Sequence, residues 1–273
     1  MSKGIFLSVD FDLFTREDTN WDWGHRETTS GALEQILWHS RLSMFAFAGI
    51  DPIAATDPEV HSPLRPKTFW DVLERSGLDV RDATLHVADS HMYGALSHRL
   101  DDRSVVHIDA HHDLGYQEVA GLRKTLKAQR ADCGNWLLHV LHRNKRVRTE
   151  QYISPWGSPE GSWDQIPTVQ KRVKQTLLGT EPIESLPGLS LTGKVDTVFI
   201  ARSGAWVPPW WDDLFVSFVR DGEVRTGSKP YVLDEHTDPL KTRGVSLSQA
   251  REMYEKSREQ WKAMNAPRPQ ALV

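Results

Sequence analysis

The stretch SVVHIDAHHDLGY, residues 104–116, decides the fold. A short run of Val and Ile leads without a break into aspartates and histidines. A run this short and this rich in β-branched residues reads as a strand buried on both faces. Asp109, His111 and Asp113 occupy alternate positions, and alternate side chains of an extended chain share a face. Carboxylate oxygens together with an imidazole suit Mn, Fe, Co or Zn.

Four other segments repeat the pattern of an apolar run that stops at polar residues: IFLSVDFD (5–12), ATLHVADSH (83–91), DTVFIARS (196–203) and PYVLDEH (230–236). Between them lie helical patterns. TFWDVLERSG has Thr68 at an N-cap position and Gly77 past its end, and PPWWDDLFVSFVRDG opens on Pro208 and Pro209 and closes at Gly222. SLSQAREMYEKSREQWKAMN pairs Ser246 with Gln249 at capping-box spacing. GALEQILWHSRLSMFAFAG and CGNWLLHVLHRN also fit helical periodicity. Strands alternating with helices predict an α/β fold with a mostly parallel central sheet. In such sheets ligands bind beyond the carboxyl ends of the strands, where the polar clusters fall. The Ser154–Gly193 segment reads as a loop-rich excursion, so residues 1–273 are taken as one domain.

Composition sets the outer bounds. The 273 residues are 39% hydrophobic, enough for a substantial core and too many for a disordered chain. A formal charge of -4 with no long basic run gives no nucleic-acid surface. Cys133 is the only cysteine, which excludes an intramolecular disulfide and fits a cytoplasmic protein. MSKGIFLSVDFD matches no signal peptide, and no stretch has the ~18 uninterrupted apolar residues of a spanning helix, so no membrane partner is expected.

Two further clusters extend the first. SVDFD places Asp10 and Asp12 two apart at the end of an apolar run, and VADSH does the same with Asp89 and His91. Buried carboxylates are costly unless cations or donors neutralise them. None of these three runs carries an adjacent Lys or Arg. Five carboxylates (Asp10, Asp12, Asp89, Asp109 and Asp113) and two histidines (His91 and His111) thus reach one edge of the sheet, and six ligands from such a set, without a cysteine, predict two metals. The mostly oxygen set favours Mn²⁺, with Fe, Co or Zn possible. His107 and His112 are expected to stand off the metal.

DAHHD matches the Asp-Ala-His-x-Asp motif of the arginase-like ureohydrolases, SVDFD resembles part of their second signature, and ADSH resembles the element that supplies their first histidine. The order differs: the Asp-x-Asp strand opens this chain, as in a circular permutation. That order, with DFDLF…WDWGH and DCGNWL, resembles a group that includes peptide arginases. The resemblance implies the arginase-like three-layer fold, the six metal ligands Asp10, Asp12, His91, Asp109, His111 and Asp113, and hydrolysis of arginine to ornithine and urea within a precursor peptide. The arginase loop for the α groups of free arginine is not reproduced, which is compatible with a peptide substrate.

This chemistry needs a proton shuttle beside Asp109 and the metals. His25 is the first candidate, ahead of His112, His139 and His236. Guanidinium recognition needs carboxylates, with Glu27, Asp22, Asp234 and Glu235 as candidates, and Asn135 resembles a substrate contact. Trp21, Trp23, Trp206, Trp210 and Trp211 flank expected loops and can line a groove. Two other functions share these residues. One is a different ureohydrolase, or a deacetylase-like amide hydrolase acting on a small molecule. The other is a non-catalytic binding protein stabilised by metal.

Overall fold

The computed structural model describes residues 4–16, 31–95, 104–158, 160–233 and 237–265. Its centre is an eight-stranded sheet of β1 (Ile5–Asp10), β2 (Leu78–Asp79), β3 (Thr84–Ala88), β4 (Ser104–His111), β5 (Thr149–Ser158), β6 (Val173–Leu177), β7 (Gly193–Ala201) and β8 (Tyr231–Val232). The order is β6-β5-β4-β1-β7-β3-β8, with β2 beside β7, and every pairing is parallel. The main helices are α1 (Gly31–Ala48), α2 (Phe69–Arg75), α3 (Val119–Ala128), α4 (Trp136–Arg143), α5 (Asp212–Thr226) and α6 (Leu247–Met264). The predicted α/β architecture is therefore present. Among the described residues no helix is long and apolar enough to cross a membrane.

The alternation of β1 separates the layers. Ile5, Leu7 and Val9 pack with Val72 and Leu73 of α2 and Phe215 and Phe218 of α5. Phe6 faces the other way, against Leu122 of α3 and Trp136, Leu137 and Leu141 of α4. Each such side chain removed from water contributes about 1.5–3 kcal/mol. On that second face the chemistry changes along the strand direction. The register aligns Phe6 with Val105 and Ser8 with His107, and one step further Asp10 and Asp109 follow on the same parity. The pair β1–β4 is thus apolar at its base and carboxylate-tipped at its carboxyl end.

Three sequence readings change. The loop-rich excursion holds structure: β5 extends to Ser158 and β6 lies within it, each paired to its neighbour. Their polar, proline-interrupted pattern hides strands at the sheet's far side, where burial is only partial for β6. Helix α5 does not stop at Gly222 but runs to Thr226, and Gly227 at φ +69° ends it. Gly222 is there for packing, since a Cβ would stand 2.7 Å from Cζ2 of Trp70. Thr68 precedes α2 without a side-chain capping bond, whereas the Ser246–Gln249 capping box forms as predicted.

Candidate metal centre

Four adjacent strand ends build the site. β4 carries Asp109 and His111, with Asp113 just beyond it; β1 carries Asp10; β3 leads to His91; β7 leads to Ser203. Asp10 caps the short 3-10 turn Phe11–Phe14, accepting from the Asp12 backbone N–H at 3.2 Å, and this turn brings Asp12 back to the same point. Asp113 and Ser203 take left-handed backbone angles, φ +51° and +52°. Non-glycine residues rarely adopt these, and each costs on the order of 1–3 kcal/mol.

The sequence-predicted ligands converge. His91 Nδ1 lies 2.9 Å from Asp109 Oδ2, 3.0 Å from Asp10 Oδ2 and 3.2 Å from Asp113 Oδ2. His111 Nδ1 lies 3.1 Å from Asp12 Oδ2 and 3.6 Å from Asp109 Oδ1. Asp109 is the link, one oxygen toward His91 and the other toward His111. All four carboxylates and His91 are buried, and the His111 side chain is 19% exposed.

The neighbours hold the ligands in place. Ser8 Oγ is 2.6 Å from His91 Nε2, which leaves Nδ1 free to face the carboxylates. Trp136 Nε1 donates to Asp113 Oδ2, and the Ser203 hydroxyl donates to Asp10 Oδ2, both at 2.5 Å. Yet His91 Nδ1 and Asp109 Oδ2, close as they are, have no hydrogen-bond partner. Such orphaned, converging atoms are what a cation would satisfy. Ligand atoms about 2.0–2.2 Å from a tetrahedral ion stand ~3.3–3.6 Å apart, against 2.9–3.2 Å around His91 here. Among the described residues two groups meet the spacing for a metal, His91–His107–Asp109–Asp113 and Asp12–Asp109–His111.

Electrostatics give the same account. Burial, then the charges of Asp10 and Asp109, push the Asp12 carboxyl well above the usual range. Burial and the Asp109 charge do the same to Asp113. Burial would raise Asp109 too, but the His107, His111 and His91 rings around it hold it well below. Burial disfavours a charged His91, yet the Asp10 and Asp109 carboxylates raise it well above the usual imidazole value. Without cations the cluster keeps protons; two divalent ions would balance Asp10, Asp12, Asp109 and Asp113 as carboxylates.

Other expected residues fall elsewhere. Asp89 is not part of the cluster. Its Oδ1 meets Arg202 Nε at 2.6 Å, in a buried network with Glu34, Asp212 and Arg243. Asn135 opens α4 with its Oδ1 accepting from the Asp132 backbone N–H, and its neighbours Gly134 and Cys133, not Asn135, line the cleft. His112 lies off the cluster: Nδ1 accepts from Leu114 N–H, the ring stacks on Tyr116 at 4.3 Å, and burial pushes it down to about 4. His139 is buried in α4. Trp210 and Trp211 pack with α1 and α6, whereas Trp206 lines the cleft. His25, Glu27, Asp22, Trp21, Trp23, Asp234, Glu235 and His236 lie outside the described residues.

Sequence reasoning set His107 aside, although it shares the parity of Asp109 and His111. It is fully buried, its Nε2 3.2 Å from Asp109 Oδ2. Tyr116, Cys133, Gly134 and Ser203, also missed, line the cleft with Trp206 above the cluster, in a space of about 330 Å³ counting its open mouth. Ser203 had a signal, a polar residue second after the buried run VFIA, following Arg202; the others had none. Family models, curated proteins and solved structures yield no match to this chain. Fold and site together define an α/β protein with a buried Asp/His cluster fit to hold metal.

Proposed function

We propose that the protein is a binuclear metal hydrolase that cleaves the guanidinium group of arginine residues in a precursor peptide, giving ornithine and urea. The observation that carries this reading is the pair of ligand groups sharing Asp109 at the carboxyl ends of adjacent parallel strands. The DAHHD, SVDFD and ADSH segments add to it through their likeness to ureohydrolase motifs. Two Mn²⁺ suit the oxygen-rich set, and Fe, Co or Zn can replace them. When bound, such ions lower the pKa of a water and polarise the substrate.

The chain's own residues do the rest. Asp109 fixes the spacing of the two ligand groups. Ser8, Ser203 and Trp136 hold His91, Asp10 and Asp113 in register. With the four carboxylates balanced by cations, preference for a positively charged group rests on the cleft's aromatic walls, Tyr116 and Trp206. Trp206 stands 5.6 Å from the His111 ring, so a planar guanidinium against it lies beside the metal ligands. In this reading His25 carries the proton to the departing ornithine amine, and Glu27, Asp234 and Glu235 orient the peptide's arginine, whereas Asn135, bound to the Asp132 backbone, takes no part.

The test is direct. Metal content is measured first; then the manganese-loaded protein is incubated with arginine-containing peptides, free arginine and agmatine. The expected result is two equivalents of metal and a mass loss of about 42 Da on peptide, the change from arginine to ornithine by hydrolysis. Asp109→Ala should abolish it. One equivalent of metal, with no urea from any substrate, overturns the reading.

A further inference from the structure

We infer that His107 is a metal ligand, and that the two cation positions are therefore chemically unequal. This rests on the metal-site reading above. His107 sits on β4 one alternate step before Asp109, fully buried, and does not line the cleft. Its Nε2 points at the floor of the cluster, 3.2 Å from Asp109 Oδ2 and 3.9 Å from Asp113 Oδ2. Asp109 Oδ2 is the same orphaned oxygen that faces His91 Nδ1. The His91 and His107 rings stand 5.2 Å apart, on either side of it.

His107 Nε2 also lies 3.3 Å from the His111 carbonyl, so a purely hydrogen-bonded role has a partner available. That role leaves Asp109 Oδ2 without a hydrogen-bonding partner in this geometry. A cation among His91 Nδ1, His107 Nε2, Asp109 Oδ2 and Asp113 Oδ2 uses all four atoms of that group, with Asp10 Oδ2 beside it, 3.0 Å from His91 Nδ1. The deeper position then has two imidazoles and two carboxylates. The shallower one, Asp12, Asp109 and His111, is oxygen-rich. Imidazole-rich sets suit Zn²⁺, Fe²⁺ or Co²⁺, and oxygen-rich sets suit Mn²⁺. The deeper position is accordingly the one that keeps Zn²⁺ or Co²⁺ against an excess of Mn²⁺.

The experiment counts ligand histidines in the unaltered protein. The metal-free chain is saturated with Co²⁺, and the paramagnetically shifted imidazole N–H resonances are recorded by proton NMR. Three ring systems are expected, from His91, His107 and His111. Two ring systems with two bound Co²⁺ overturn the role of His107 and leave the binuclear reading intact. No stoichiometric Co²⁺ binding overturns both. His107→Gln, folded by circular dichroism, should remove one ring system. It should also weaken one Zn²⁺ equivalent by about 100-fold or more, beyond the 10–100-fold typical of a residue that only orients a ligand. Unchanged affinity for both equivalents in His107→Gln overturns the assignment.

Discussion

The Ser203 hydroxyl donates to Asp10 Oδ2 across 2.5 Å, from a backbone held at φ +52°. A serine in this conformation is kept there by what its side chain does, because glycine would relieve the strain. The bond fixes one carboxylate oxygen of the residue that joins β1 to the cluster. Ser203→Ala should therefore weaken divalent-cation affinity about 10–100-fold, the usual cost of removing a group that orients a ligand. Ser203→Gly should lose as much affinity but be the more stable of the two when metal-free. Calorimetric titration and urea unfolding in chelator check the pair; wild-type affinity in both variants would show the hydroxyl to be idle.

Cation binding should be visible as stability. A ligand that binds only the folded chain, at 100 times its Kd, adds about 2.7 kcal/mol per site. For a chain of this size each kcal/mol moves Tm by about 2–4 °C. Saturating Mn²⁺ or Zn²⁺ should raise Tm by roughly 5–10 °C for one site and more for two, and chelator should reverse it. Asp109→Ala removes the residue common to both ligand groups, so its Tm should ignore metal. A metal-dependent shift retained in that variant would mean that the cation binds elsewhere.

Much of this site was legible because two strands end alike. Asp10 and Asp12 after FLSV, and Asp109, His111 and Asp113 after VVHI, declare buried strands that finish in carboxylates. What the sequence hid was partnership across distance. Asp89 looked like a fifth site carboxylate, but its counter-charge, Arg202, lies 113 positions away on the neighbouring strand's end. Spacing along the chain carries no such information. Gly222 misled for a related reason: it reads as a helix stop, whereas its lack of a side chain serves the ring of Trp70 in another helix. His107 is a different case, since its parity was visible and only its burial beside Asp109 was not.

Beside the Asp/His cluster, Glu34, Asp89 and Asp212 face two guanidiniums, Arg202 and Arg243, all with buried side chains. Three acids against two cations leave one carboxyl to take a proton. Burial, then the Asp89 charge, raises Glu34 from 4.5 to about 7. The sign follows from proton counts. Between pH 4.5 and 7 the folded chain holds a proton that the unfolded chain has lost, so stability falls as pH rises through this window. The loss is on the order of 3 kcal/mol by pH 8.5. Glu34→Gln mimics the protonated form and should abolish this part of the pH dependence. Urea unfolding of both metal-free proteins at pH ~5 and ~8.5 tests it. Equal losses in the two proteins would place the proton elsewhere.

Under the proposed function Trp206 bears on substrate, not on metal. It lines the cleft between the His111 ring, 5.6 Å away, and the Arg41 guanidinium, which sits 5.5 Å from its centroid. The Trp206 ring beside His111 suits a guanidinium from the proposed substrate, where the cation–π contribution reaches about 2 kcal/mol once desolvated. Trp206→Ala should raise KM for an arginine-containing peptide by about 10–30-fold, the equivalent of that energy. The two metal equivalents should remain, because no atom of Trp206 belongs to either ligand group. Trp206→Phe keeps an aromatic face and should recover most of the loss. A variant that loses metal together with activity would instead make Trp206 a support for His111, and the cleft's preference for a cation would need another source.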